Sequence, residues 1–143
     1  MYVRLSVHAN ATARPRTRSG FSVVREGSRG VVVAVGPMLD NVLAATEGLD
    51  VSVLYATTVR PFDGDTLRRA VAAARPDVVL VEPYLEGTST AAANDALSEV
   101  PHRVLGLGIG RSELRRYGTV EEHLAGQGLD PAALRARIDA FVR

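Results

Sequence analysis

The stretch VVLVEPYLEGT (78–88) places one carboxylate, Glu82, at the end of an apolar run and a second, Glu86, just before Gly87. Four consecutive apolar residues describe a strand buried on both faces. In an open α/β protein the carboxyl end of such a strand is where sites are built. Two carboxylates flanking a turn work as general acid and base only in a cleft that drives their pKa values apart. The sequence shows neither the cleft nor the shift, so the structural reading of Glu82 and Glu86 stands ahead of the catalytic one. The glycine-rich run GLGIG (106–110) superficially resembles a phosphate loop. It lies in and after the last strand with no βαβ unit to follow, so the dinucleotide fingerprint lacks its structural context.

Other chemistries are bounded by residue type. His8, His102 and His123 are far apart in sequence and none has metal-ligand spacing. Ser89, Thr90 and Ser112 have no nucleophile elbow around them. The chain has no cysteine, which excludes disulfides, thiolate metal sites and a cysteine nucleophile. All 17 basic residues are Arg, which excludes a Schiff-base or phosphate-loop lysine. Net charge is +1 with both signs scattered, so no bulk nucleic-acid binding is expected. No apolar run approaches the roughly 20 residues that span a bilayer, and the opening MYVRLSVHAN is no signal peptide, so no membrane partner and a cytoplasmic location are expected. These residues alone assign no catalytic, cofactor-binding or metal position.

The elements that would position these groups follow from periodicity. Residues 1–6 alternate like a short strand, and HANATARPRTRSG (8–20) has no period and reads as an exposed connector. Strands are expected at 21–27, 31–36, 50–56, 77–82 and 102–109. Between them, Pro37 can open a helix with Leu39, Val42, Leu43 and Leu49 inside. Asp63 or Asp65 can cap a second that buries Leu67, Val71 and Ala74. Ala93, Ala96, Leu97 and Val100 give a third a small-residue face. TVEEHLAG begins the helical end of the chain. Asp130 then caps, with Pro131 at the first helical position, a helix carrying Leu134, Ile138 and Phe141. At 143 residues the chain is one domain by length. Strands alternating with helices predict a three-layer α/β/α sandwich. Only Ser28, Arg29 and Gly30 separate the first two strands, which permits an antiparallel pair but no parallel crossover. The sheet is therefore expected to be five-stranded and mixed, with four parallel strands and one antiparallel edge strand.

Four segments together resemble the C-terminal domain of the transketolase family: VREGSRGVVVAVGPML (24–39), VSVLYATTVRPFDGDTLRRAV (51–71), VVLVEPYLEGTSTAAANDAL (78–97) and LGLGIGRSELRRYGTVEEHLAGQGLDPAALRARIDAFV (105–142). The most specific parts are Arg60-Pro61-Phe62-Asp63, Glu82 closing its strand, and Tyr117-Gly118 followed by Gly128-Leu129-Asp130. The resemblance covers about residues 20–142. It implies a five-stranded mixed sheet, two preceding domains that hold thiamine diphosphate and Mg²⁺, and a homodimeric parent that transfers a two-carbon ketol unit. This domain would be architectural and would support the dimer. On that footing residues 1–6 are the end of the preceding pyrimidine-binding domain, 7–20 a linker and 21–143 the domain itself. A 2-oxo-acid dehydrogenase beta subunit, which binds a lipoyl-acyltransferase partner, and an independent effector-binding Rossmann-like module are the alternatives.

The resemblance also gives Glu82 a position that relatives fill with acid. The expectation is a carboxylate that orients the loop by accepting N–H bonds from residues 85–88, or one at a domain or subunit contact. Gly87 belongs to the same turn, and Ala92, with Ala91 and Ala93, permits close approach of another backbone. Two departures stand out. Val7 and His8 lie about where phosphosugar-using members carry a phosphate-binding Arg, and Gly87-Thr88 replaces the Gly-Gly of many relatives.

Overall fold

The structure, a computed structural model, describes residues 7–15, 20–112, 115 and 117–143. The strand expected at residues 1–6 lies outside them. Five strands form one sheet: β1 (Phe21–Arg25), β2 (Val31–Val35), β3 (Ser52–Ala56), β4 (Asp77–Leu85) and β5 (Arg103–Ile109). Their spatial order is β1-β3-β2-β4-β5. β2, β3, β4 and β5 run parallel, and β1 is the antiparallel edge.

The antiparallel partner of β1 is β3, with Phe21 opposite Ala56, and not the adjacent β2. The short link from β1 to β2 does forbid a parallel crossover. It makes no hairpin either, because β3 lies between the two strands it joins. The link passes over the start of β3 and is fixed there. Gly27 donates to Ser52 Oγ at 3.0 Å, and Ser52 Oγ returns a bond to the Gly27 carbonyl at 2.9 Å. The Ser28 amide and hydroxyl both donate to the Asp50 carboxylate. A Cβ on Gly27 would stand 2.5 Å from the Val51 backbone, so only glycine lets the link pass this close.

Period-two burial on each strand feeds two cores. On one face Val32, Ala34, Val53, Val79, Val81 and Leu107 pack with α1 (Leu39–Ala45) and α5 (Pro131–Val142). On the other, Val31, Val33, Leu54, Val78 and Leu80 pack with α2 (Gly64–Ala72) and α3 (Thr90–Ala96). The result is the three-layer α/β/α sandwich. A 3-10 turn at Gly36–Met38 precedes α1, and Asp63 rather than Asp65 caps α2. α3 is shorter than its small-residue pattern suggests. Ala93 and Leu97 are core, but Val100 lies beyond the helix and is 39% exposed. α4 (Val120–Gly126) starts with a capping box: Thr119 Oγ1 accepts from the Glu122 amide and the Glu122 carboxylate accepts from the Thr119 amide. Among the described residues no helix is long and apolar enough to cross a membrane.

α5 ends at the amino edge of the sheet, where its last carbonyls meet guanidinium groups. Arg103 donates to the Phe141 carbonyl at 2.8 Å and stacks on the Phe141 ring. Arg75 donates to Val142 and Arg143 carbonyls, and Arg29 to Val142. Cations at a helix C-terminus also complement its dipole. Asp77 anchors two of them, at 2.7 Å from Arg103 and 3.5 Å from Arg75.

Candidate functional site

The carboxyl end of β4 carries the polar cluster that the sequence points to. Pro83 cannot donate to the ladder, and the pairing with β5 breaks around it. Val81 lies opposite Leu107 and Leu85 opposite Ile109, so Glu82, Pro83 and Tyr84 together face Gly108 alone. This bulge makes β4 longer than the expected 77–82 and resumes pairing at Leu85. Glu86 then donates to the Ile109 carbonyl at 3.0 Å. The chain turns at Leu85–Thr88, closed by the Thr88 amide on the Leu85 carbonyl, with Gly87 at φ +80°. That is a left-handed value that favours glycine. Thr88 has no positive φ, so the departure from Gly-Gly costs this turn nothing in backbone conformation. The Thr88 hydroxyl adds a bond to the Leu85 carbonyl.

The bulge also explains GLGIG. A Cβ on Gly108 would lie 2.6 Å from the Tyr84 carbonyl and 2.8 Å from Glu86 backbone. One on Gly106 would lie 3.0 Å from the Gly87 nitrogen. These glycines make room for a neighbouring strand. The signal in the sequence was Pro83 inside an otherwise regular strand.

Glu82 is fully buried. It accepts from the Ser89 amide at 3.5 Å, a long bond, while its Oε1 has no partner. The donor is Ser89, one residue beyond the expected 85–88 span, because the turn occupies all of 85–88 and Ser89 stands between it and α3. Tyr84 lies against the same carboxylate. Burial is the largest reason its phenol is held above the ordinary range. The Glu82 charge adds to this, and the Ser89 hydroxyl and Arg60 oppose it. Arg60 reaches the turn from the other side, donating to Ser89 Oγ at 3.4 Å and to the Thr88 carbonyl at 3.3 Å. Sequence reading considered Ser89 only as a nucleophile and did not connect Tyr84 with Glu82. With no solvent contact, Glu82 cannot meet a substrate in this conformation.

Arg60-Pro61-Phe62-Asp63 ties three elements together. Phe62 meets Phe21 of β1 edge to face at 5.0 Å. Asp63 accepts from the Thr66 amide at 3.0 Å and from the Phe21 amide at 2.8 Å. Burial pushes the Asp63 carboxyl up, but the bonds from Thr66 and Phe21, with Arg69 nearby, outweigh it and hold the group below its ordinary value.

Glu82 and Gly87 thus lie at the same end of β4, one in the bulge and one in the turn, while Ala92 lies apart from them on α3. Ala92 is half-buried on α3 and faces a groove of about 430 Å³ that also takes in Phe62, Asp63, Asp65 and Asp95. Ala93, its neighbour, is core. The histidines remain dispersed: His102 bonds Asn94 and the Val100 carbonyl, and His123 sits on α4. Among the described residues no group of three His, Cys, Asp or Glu side chains is placed to hold a metal.

Comparisons with known proteins bear on this arrangement. The family model for the transketolase C-terminal domain matches residues 20–134. An uncharacterized 33.6 kDa protein of the fasciation locus of Rhodococcoides fascians is 48% identical over 144 residues, covering 99% of this chain and 46% of that protein. The 1-deoxy-D-xylulose-5-phosphate synthase of a Polaromonas species is 32% identical over 118 residues, 81% of this chain and 18% of the synthase. The chain therefore spans less than half the length of these relatives. Among solved structures, a split-gene transketolase described as an inactive beta4 tetramer superposes with a TM-score of 0.76 at 22% identity, covering 94% of this chain and 46% of that one. A Pichia stipitis transketolase gives 0.58 at 13% identity. These structural likenesses concern the fold, and the family match extends from the start of β1 into α5. The chain belongs to the transketolase C-terminal domain family.

Proposed function

We propose that this chain serves as the C-terminal, architectural domain of a thiamine diphosphate-dependent enzyme that transfers a two-carbon ketol unit. The observation that carries the reading is the family match over residues 20–134. The relatives extend well beyond the matched region, which leaves them room for cofactor-holding domains. Thiamine diphosphate and Mg²⁺ belong to those preceding domains, as the family resemblance implies, and the parent works as a homodimer. Within this domain Glu82 and Gly87 orient the turn after β4, and Ala92 belongs to a contact face towards other domains or a second copy. Residues 7–20 link the domain to what precedes it.

Two measurements test the reading. The parent protein, given thiamine diphosphate, Mg²⁺, a ketose donor and an aldehyde acceptor, transfers the two-carbon unit. A parent inactive with every ketose donor overturns the transferase assignment. Calorimetry of this chain alone with thiamine diphosphate and Mg²⁺ gives no binding heat. Micromolar binding by the chain alone overturns its architectural role.

A further inference from the structure

The approach segment contains one side chain with more bonds than a connector needs. Asn10 Nδ2 donates to the Gly36 carbonyl at 3.0 Å and to Tyr55 Oη at 3.3 Å. Asn10 Oδ1 accepts from the Asp40 amide at 3.2 Å. The next residue answers in the opposite direction: the Ala11 amide donates to Asp40 Oδ2 at 2.6 Å. The four bonds join the chain to residues 26 to 45 positions away, at the carboxyl ends of β2 and β3.

The receiving side lacks a cap of its own. Neither Val35, before the 3-10 turn, nor Met38, before α1, makes a side-chain capping bond. The first amides of a helix have no intrahelical acceptor, and a side-chain oxygen on one of them stabilises the start. A capping box meets this need within one helix by a reciprocal pair of bonds. Asn10 and Asp40 reproduce that reciprocity between two distant segments. Only an amide side chain supplies both halves here, an acceptor for Asp40 and donors for Gly36 and Tyr55.

We infer that residues 10 and 11 form a docking strap, with Asn10 as its specifying residue, that makes the approach segment part of the domain and fixes the direction from which the preceding chain arrives. The strap rests on bonds within this chain. Only its use, to hold the preceding domain over the carboxyl end of the sheet, rests on the proposed domain role. The two can therefore fail separately.

Hydrogen exchange on the full chain tests the strap. In the unaltered protein the Asp40 and Ala11 amides and the Asn10 side-chain NH₂ exchange slowly. Asn10→Ala speeds exchange at Asp40 and Ala11 by about fivefold or more, the size of one net hydrogen bond, while the amides of β2 and β4 keep their rates. Asn10→Asp keeps an acceptor but loses the donors and sets a second carboxylate beside Asp40, and it releases Ala11 as well. Asp40→Asn retains the backbone amide and an oxygen acceptor, and it affects Ala11 less than Asn10→Ala does. Unchanged exchange at both Asp40 and Ala11 in Asn10→Ala overturns the strap. If the strap holds but a rigid-body probe of the parent, small-angle scattering, shows the same domain arrangement in Asn10→Ala, then the strap does not set the direction of the preceding chain.

Discussion

At the scale of single residues, Gly108 and Gly126 make opposite predictions from the same substitution. An added Cβ at Gly108 runs into the Tyr84 and Glu86 backbone, which cannot step aside without undoing the bulge. Gly108→Ala is expected to destabilise by about 2 kcal/mol or more, in the range of overpacked sites. Gly126 ends α4 with nothing within 4 Å of an added Cβ. Gly126→Ala is expected to leave stability unchanged or raise it by about 0.5 kcal/mol. Urea unfolding of the two variants in parallel checks both, and equal effects would mean that the Gly108 contact is soft. The purpose of Gly108 was not legible in its own surroundings in the sequence. It depends on a bulge more than twenty residues earlier, and only Pro83 hints at that bulge. Glu82 is a different case. Its burial follows from strand alternation, since it falls on the same face as Val78 and Leu80. Its backbone donor, Ser89, depends on where the turn ends, and strand patterning does not encode that.

At the scale of elements, Asp63 joins α2 to β1. Its capping of α2 was legible from its place before a helical pattern, but its bond to the Phe21 amide was not, because that required β1 to lie beside β3. Asp63→Ala is expected to cost about 2 kcal/mol, the upper range for a cap, because a second amide loses its acceptor as well. Asp63 and Asp77 both have carboxyls held below their ordinary values. For Asp77 the Arg103 bond is the largest cause, burial opposes it, and the charges of Arg103 and Arg75 assist. A depressed folded pKa contributes stability above the unfolded value, near 3.9, and loses it as pH falls through the folded value. Wild-type urea midpoints are therefore expected to drop below about pH 4. Asp77→Asn is expected to start less stable at pH 7 and to lose less on acidification. A pH profile parallel to wild type would show that the clasp of Asp77 with Arg103 and Arg75 does not stabilise the end of α5. The β-strand pattern itself was easily read. Apolar runs buried on both faces leave little ambiguity, whereas the end of α3 was blurred because Val100 is apolar but lies beyond the helix.

At the scale of the whole molecule, the groove beside Ala92 tests the proposed contact face. Its rim carries Asp63, Asp65 and Asp95, with Arg68 already engaged by Asp65 and by the Ala96 carbonyl. An arginine introduced at position 92 can extend along this open groove towards carboxylates. Ala92→Arg is expected to change the stability of this chain by less than about 1 kcal/mol, as at other sites outside the core. In the parent the same change is expected to weaken self-association, read by sedimentation. A loss of several kcal/mol in the isolated chain would place Ala92 in the core. The sheet order carries a further consequence, for the way the chain is made. Of the five strands β1 leaves the ribosome first, yet among the described residues its partner in the sheet is β3, with Phe21 and Ala56 brought together across 35 positions. β2 follows at once but is not its neighbour in the sheet. Its native pairing waits until a later strand is synthesised and takes its place between them. Closing that loop is the entropic step that completes the edge, so the first of the five strands to be made gains its neighbour only when the third appears.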